Sequence, residues 1–325
     1  MKQILAVVLI FAGLLSSSAV FAEETWSPCQ EFVNRKEYRA AIRSCTSEAK
    51  SWDKGTRAAA FFNLGVAYQG AGDLDQSISD YSEAIALDPK NDKAFYHRGF
   101  VHHLKNEFTL AIVDYSSAIK LNPDPASYYY YRGLAYQTIG NLDQAISDYT
   151  KVIELDSGNE EAFYNRGTAE QAKGDLDQAI SDYTKAVELD PKSSAAYFGR
   201  AFARQKKGDL DQAIADYSAA VELNPKDYRY YYNRGTVYQA KGNLDKAIED
   251  YFEASQLNPQ SELAYYGMAD VYSLRNKEEE ACKWFTKSLQ IGLKKGNVDW
   301  GFIEKDPALE NIRRSSCYTR MMPQK

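Results

Sequence analysis

The sequence predicts an all-α chain, a solenoid of about seven 34-residue helix-turn-helix repeats flanked by a degenerate repeat and a capping helix. Three observations predict it. Tyr81, Tyr115, Tyr149, Tyr183, Tyr217 and Tyr251 stand 34 residues apart, and Ile78, Ile112, Ile146, Ile180, Ile214 and Ile248 do the same. Within one period the sequence breaks into two helical halves around a glycine. A proline closes most periods. A fixed period of this length marks a stacked array, in which each repeat buries its apolar face on its neighbours.

The stretch 160–193 shows why each period folds as it does. Phe163, Arg166, Gly167 and Glu170 fall at helical spacing in its first half. Gly174 follows, and glycine readily takes the left-handed conformation that ends a helix. Asp175 is a good N-cap with Gln178 as its capping-box partner, worth about 1 kcal/mol. Ala179, Tyr183 and Ala186 then share one face, and Pro191 stops the second helix.

The small residue, x2, aromatic pattern of the first helix, the Ala, x3, aromatic pattern of the second and the closing Pro together resemble the tetratricopeptide repeat (TPR) family. The small residues are Gly65, Gly99, Gly133, Gly167, Ala201, Gly235 and Ala269. Their partners on the second helices are Ser77, Ala111, Ala145, Ala179, Ala213, Ala247 and Ala281. The closing residue is Pro89, Pro123, Pro191, Pro225 or Pro259, with Ser157 once in its place. In this frame repeats 1 to 7 span 58–91, 92–125, 126–159, 160–193, 194–227, 228–261 and 262–295. The resemblance implies a right-handed α-α superhelix whose inner wall is lined by first helices.

The ends read differently. Residues 1–22 carry one early positive charge, an apolar run from Ile4 to Leu15 and small residues before Ala22, the pattern of a cleaved secretory signal peptide. That run is shorter than the roughly 20 residues a spanning helix needs. Together with the GDLDQAISDY wording, it resembles exported bacterial TPR proteins and implies a periplasmic or secreted address. Residues 23–57 read as a degenerate repeat, with Tyr38, Ala41 and Cys45 standing where Leu176, Ala179 and Tyr183 stand later.

Four cysteines in an exported chain allow three disulfide connectivities. The repeat frame puts Cys29 at the small-residue site and Cys45 at the facing aromatic site, favouring a Cys29–Cys45 bridge. Cys282 holds the site that isoleucine holds in the six preceding repeats, and its expected partner is Cys317 in the tail. Buried free thiols are the alternative. The tail, 296–325, is expected to cap repeat 7 through Leu309, Ile312 and Tyr318, with Pro307 opening its helix.

Two charged rows share the period. Arg98, Arg132, Arg166, Arg200 and Arg234 form one, with Leu64 and Met268 in the outer positions; Asp80, Asp114, Asp148, Asp182, Asp216 and Asp250 form the other. They read as an ion-pair ladder between packed helices rather than an anion-binding row. Sequence leaves open whether each Arg meets the Asp of its own repeat or of the preceding one. The preceding repeat is expected, which leaves Asp250 without an Arg.

Catalytic chemistry finds no constellation. His97, His102 and His103 are the only histidines and share one repeat, and HExxH, GxSxG, GxxxxGKS and GxGxxG are absent. No enzyme, cofactor or metal is expected. A net charge of −6 without a basic run argues against nucleic acid.

What remains is the first-helix face. Phe61, Phe95, Tyr129, Phe163, Tyr197, Tyr231 and Tyr265 stand at the family's Trp position and are expected in the core. The next residue in each repeat, Phe62, Tyr96, Tyr130, Tyr164, Phe198, Tyr232 or Tyr266, points about 100° away, which in the family is toward the concave wall. Asn63, Asn165 and Asn233 follow, then Gln69, Gln137, Gln171, Gln205 and Gln239. Aromatic faces beside amides suit an extended protein or peptide partner, and a glycan is the second candidate. The rival reading packs this row against neighbouring repeats. Lys and Arg are mostly missing from these positions, so the dicarboxylate clamp of chaperone-binding relatives is not expected. The expected function is an exported non-catalytic scaffold, with a glycan adaptor or the regulatory arm of an enzyme complex as alternatives.

Overall fold

The computed structural model describes residues 27–295, 305 and 310–314; the leader expected at 1–22 and most of the tail at 296–325 lie outside them. Every regular element among the described residues is a helix, and none is long and apolar enough to cross a membrane. The chain divides into two compact units, Met1–Pro89 and Lys90–Lys325.

The N-terminal unit contains α1 (Pro28–Asn34), α2 (Tyr38–Glu48), α3 (Lys54–Ala71) and α4 (Leu74–Leu87). Ser27 caps α1 by accepting from the Gln30 amide, and Pro28 fills the first turn, where no amide is needed. Asp53 caps α3 through the Thr56 amide at 2.6 Å. Cys29 and Cys45 form the expected disulfide and are fully buried against Val33, Ala41, Leu64 and Ala67. Closing a loop of 16 residues stabilises by about 3 kcal/mol in the chain-entropy model. This bridge gives a short degenerate repeat the cohesion that its small core lacks.

The C-terminal unit is a run of helix pairs: α5 (Asp92–Leu104) with α6 (Phe108–Leu121), α7 (Ala126–Thr138) with α8 (Leu142–Leu155), and α9 (Glu160–Lys173) with α10 (Leu176–Leu189). Then come α11 (Ser194–Lys207) with α12 (Leu210–Leu223), α13 (Tyr228–Ala240) with α14 (Leu244–Leu257), and α15 (Glu262–Leu274) with α16 (Glu278–Lys295). Each second helix packs on its own first helix and, up to α14, on the first helix that follows. A short helix, α17 (Glu310–Arg313), puts Ile312 fully buried against Ala269, Ala281, Phe285 and Leu289, as a cap should. Leu309 and Tyr318 lie outside the described residues. Cys282 is disulfide-bonded, and its expected partner Cys317 lies outside them too.

One backbone requirement repeats at every turn. One turn residue is left-handed, directly after the first helix at Gly174 and Gly208 (φ +91°), and two residues past its end where Asn106 and Asn276 replace glycine, at +61° and +57°. Asparagine is the side-chain-bearing residue that best tolerates this region. Packing sets a second requirement, small residues on the first helices. A Cβ on Gly167 would sit 3.2 Å from the Tyr183 ring, and one on Gly199 only 2.7 Å from the same ring. Tyr183 is thus clasped between the first helices of repeats 4 and 5.

The charged ladder is present, with the opposite register to that expected. Each Arg pairs with the Asp of its own repeat: Arg98–Asp114, Arg132–Asp148, Arg166–Asp182, Arg200–Asp216 and Arg234–Asp250, at 2.7–2.8 Å. The Arg166 fork is bidentate, Nε and Nη2 each donating to one Asp182 oxygen at 2.7 Å. Its Nη1 donates to Thr150 of the preceding repeat, and Arg132, Arg200 and Arg234 reach Ser116, Thr184 and Ser218 likewise. The guanidinium therefore does two jobs: it neutralises its own repeat's carboxylate and ties that repeat to the one before. Asp250 has its Arg. The aspartate without one is Asp80, because Leu64 occupies the arginine position and packs on the Cys29–Cys45 core.

Asp80 is 5 % exposed, its Oδ1 receives one long bond from Gln76 at 3.4 Å, and its Oδ2 has no hydrogen-bond partner among the described residues. Burial, with Glu83 and Asp73 nearby, pushes its pKa up to about 6. A carboxyl raised on folding contributes stability below its unfolded pKa and loses it as pH climbs through the folded one.

Two predictions follow from the ladder. Arg166→Ala should cost about 2–4 kcal/mol in urea unfolding, because it strands a buried carboxylate; a loss under about 0.5 kcal/mol, typical of exposed pairs, would contradict the ladder's role. Asp80→Asn should be neutral near pH 4 and stabilising by about 1–2 kcal/mol at pH 8, read from NMR-detected urea unfolding of α3 and α4. An equal effect at both pH values would remove Asp80 as the cause.

Candidate interaction surface

The second aromatic row lies half-buried along the first helices. In the N-terminal unit Phe62 packs on Tyr81 with ring centroids 5.7 Å apart. In the C-terminal unit the same contact recurs as Tyr96–Tyr115, Tyr130–Tyr149, Tyr164–Tyr183, Phe198–Tyr217, Tyr232–Tyr251 and Tyr266–Phe285, at 5.7–6.3 Å. One face of each ring therefore covers the buried second-helix ring, which is the packing role weighed above. The remaining edge is what a partner could touch. The preceding row is core in part: Tyr129, Phe163 and Tyr265 are buried. Five of its rings carry the ladder guanidinium at 5.4–5.7 Å, a cation–π platform.

The glutamines have a definite employment. Gln69, Gln137, Gln171, Gln205 and Gln239 accept with Oε1 from the hydroxyls of Tyr81, Tyr149, Tyr183, Tyr217 and Tyr251 at 2.7–3.5 Å. Their amino groups are the free side of the row only in part, since Gln205 donates to Thr236 and Gln239 to Asp270. The asparagines diverge. Asn63 is 3 % exposed and offers nothing to solvent, Asn165 donates to the Tyr130 hydroxyl, and Asn233 donates to the Arg229 carbonyl.

Two tyrosines that the sequence reading did not single out change the surface. Tyr128 and Tyr230 hold a position that is alanine in every other repeat, and both are 4 % exposed. Tyr128 stacks on Tyr96 at 4.8 Å and donates its hydroxyl to Asp92 at 2.8 Å. Tyr230 lies over Phe198 at 5.1 Å, with its hydroxyl 3.2 Å from Ser194 Oγ. Each covers the aromatic residue of the preceding repeat. In repeat 7 the position is Ala264, which is fully buried, and a pocket of about 370 Å³ lies beside Tyr232, lined also by Tyr228, Arg229, Asn233, Ser261, Glu262 and Leu263. Arg229 is held by Asp227 through both carboxylate oxygens and lies over Phe198.

The histidines do not converge on a common point. His97 is pushed down to about 4 by burial, so it is neutral at physiological pH. The Nδ1 of His102 lies 2.6 Å from the Glu107 carboxylate. His103 sits edge-on to Phe108 and Tyr131 in the place that glutamine holds elsewhere. Among the described residues no group of His, Cys, Asp and Glu is placed to hold a metal ion.

Family models described as tetratricopeptide repeat match 58–91, 126–159, 160–193, 182–215 and 228–261, and one described as TPR repeat matches 102–140 and 203–242. The chain belongs to the tetratricopeptide repeat family. Among solved structures this TPR chain is similar to YrrB, described as a TPR protein with an unusual peptide-binding site. The two are 26 % identical over 57 % of this chain and 95 % of YrrB, with a TM-score of 0.51. A MamA structure is also 26 % identical, over 54 % of this chain and 96 % of that one, with a TM-score of 0.51. The C-terminal part of a TPR repeat-containing protein from Cytophaga hutchinsonii covers more, 74 % of this chain and 98 % of its own, at a TM-score of 0.63. At 21 % identity, that likeness concerns the fold alone. Among curated proteins none matches the chain.

Repeat 2 of the TPR array tests the tyrosine–glutamine pair by lacking it. With His103 in the glutamine's place, the buried Tyr115 hydroxyl has no hydrogen-bond partner among the described residues. Tyr149→Phe should cost about 1 kcal/mol, the net worth of one hydrogen bond, whereas Tyr115→Phe should cost nothing or stabilise slightly. Equal losses in urea unfolding would show that the hydroxyl pairing contributes little.

Proposed function

We propose that this TPR chain is an exported, non-catalytic scaffold that binds an extended polypeptide along the first-helix face of its repeats, in the periplasm and in the service of envelope assembly. The observation that carries the reading is the half-buried aromatic row with the pocket beside Tyr232. Rings fixed by packing on one face present an edge at low entropic cost, and such edges suit side chains of an extended segment. Likeness to YrrB, whose description names a peptide-binding site, supports the same class of ligand. The leader-like segment at 1–22 and the Cys29–Cys45 bridge support an oxidising compartment.

The first helices also differ at one exposed position each: Lys93, Ser127, Glu161, Ala195, Arg229 and Leu263 in the C-terminal unit. A varied exposed position beside a constant aromatic one gives the row a direction and a register for a partner to match.

The test is affinity capture from envelope extract with the native chain and with Tyr164→Ala plus Tyr232→Ala. A protein retained by the first and lost from the second is the expected result. Loss of a polysaccharide instead would favour the glycan reading, and an unchanged profile would move the binding site off this face.

A further inference from the structure

We infer that the pocket beside Tyr232 is a receptor slot for an aromatic side chain, tyrosine above all, supplied by the bound polypeptide. The inference rests on the peptide-binding reading and narrows it to one residue of the partner.

The chain itself shows what the slot accepts. At repeats 2 and 5 the ring of the aromatic row, Tyr96 or Phe198, is covered by a tyrosine from the next repeat, at 4.8 and 5.1 Å. In both cases the hydroxyl reaches a polar side chain at the start of the covered repeat, Asp92 or Ser194. At repeat 6 the covering residue is the small, fully buried Ala264, and a pocket lies against Tyr232 and Tyr228, the counterparts of the covered ring and of its hydroxyl partner. Native tyrosines occupy the position equivalent to Ala264 twice, each against the counterparts of Tyr232 and Tyr228, so the fold accommodates a phenol ring in that arrangement.

Polarity points the same way. Arg229 on the rim is committed to Asp227 on both oxygens, and Glu262 adds a carboxylate to the lining, so nothing there calls for an acidic side chain and a hydrogen-bond donor is favoured. Asn233 uses its amino group on the Arg229 carbonyl, leaving its carbonyl oxygen to accept a hydrogen bond. A neutral ring bearing one donor matches this lining; an aliphatic side chain leaves the acceptor unmet.

The experiment titrates the purified, ¹⁵N-labelled chain with acetyl-Gly-Tyr-Gly-amide, its Phe and Leu counterparts, and chitotriose. Saturable amide shifts at Tyr232, Asn233 and Ser261, strongest with the Tyr peptide, are expected. Ala264→Tyr, which copies the native residue of repeats 3 and 6, should fill the slot and weaken binding about tenfold or more while circular dichroism stays native. Tyr232→Ala gives an independent loss should that variant misfold. Equal shifts with the Leu peptide, or Tyr-peptide binding undiminished by Ala264→Tyr, would overturn the slot. If those shifts persist at Tyr130 and Tyr164, the peptide-binding face survives without it. Saturation by chitotriose alone, or no shift with any peptide, would overturn slot and face together.

Discussion

Everything in this array depends on a buried tyrosine being clasped between two first helices. Tyr183 lies against Gly167 of its own repeat and Gly199 of the next, so both helices must approach to within the thickness of a ring. The small residues, the left-handed turn that folds the second helix back, and the glutamine that accepts a hydrogen bond from the phenol hydroxyl all serve that placement. Its ring then supports Tyr164 at 5.8 Å, so the aromatic row on the first-helix face is built on the clasp beneath it. A core of this kind is nearest-neighbour by construction, which is why the pattern repeats without a long-range partner.

The departures obey the same physics. In repeat 7 the ring at that position is Phe285, packed with Ala269 and Ile312, and the residue in the glutamine position is Ser273, so the hydroxyl and its long acceptor are replaced together. In repeat 2 the acceptor alone is replaced, by His103, and the Tyr115 hydroxyl is left bare. In repeat 1 the arginine alone is replaced, by Leu64, and Asp80 keeps a buried carboxylate without a counter-ion. Leu64 faces the Cys29–Cys45 core, so an apolar contact with the degenerate repeat was preferred there to the polar tie that arginine makes elsewhere. Paired replacement leaves no orphan, and single replacement leaves one of about the cost expected of an unmade bond.

Most of the fold was legible in the sequence because a 34-residue period shows what is equivalent. Both helices of the repeat, the cap at Asp175, and the bridge at Cys29–Cys45 were readable from position alone. The ladder's register was not. The rows of Arg and Asp are offset by 16 residues within a repeat and by 18 toward the preceding one, for example Arg166 to Asp182 or to Asp148. Periodicity cannot separate two such offsets; the helix-pair geometry can. A second ladder was missed altogether: Lys173–Asp143 and Arg275–Asp245 at 2.6 and 2.5 Å, with Lys207–Asp177 and Lys241–Asp211 between them. Its signal was present as two further 34-residue rows, though its aspartates are too exposed for each pair to contribute much. The surface was least legible, because Tyr128 and Tyr230 break the period, and a reading built on recurrence discards what does not recur.

That asymmetry bears on how such an array can be specific. A residue repeated seven times presents the same edge seven times, so the constant aromatic row fixes the spacing of contacts and says nothing about which segment should bind. Information has to come from positions that differ between repeats. On the first-helix face these are the exposed series from Lys93 to Leu263, which changes charge from repeat to repeat, and the position that is tyrosine twice and alanine elsewhere. The first series can select by charge, weakly at each site because solvent screens it. The second selects by volume, because a slot is either filled from within or open, and an absent ring leaves contacts unmade that only a complementary side chain restores. Specificity by vacancy asks little of the fold, since the same buried position holds alanine at Ala264 and tyrosine at Tyr128 and Tyr230 within one pattern of helix pairs, so a change there alters what the face offers without altering how the repeats stack.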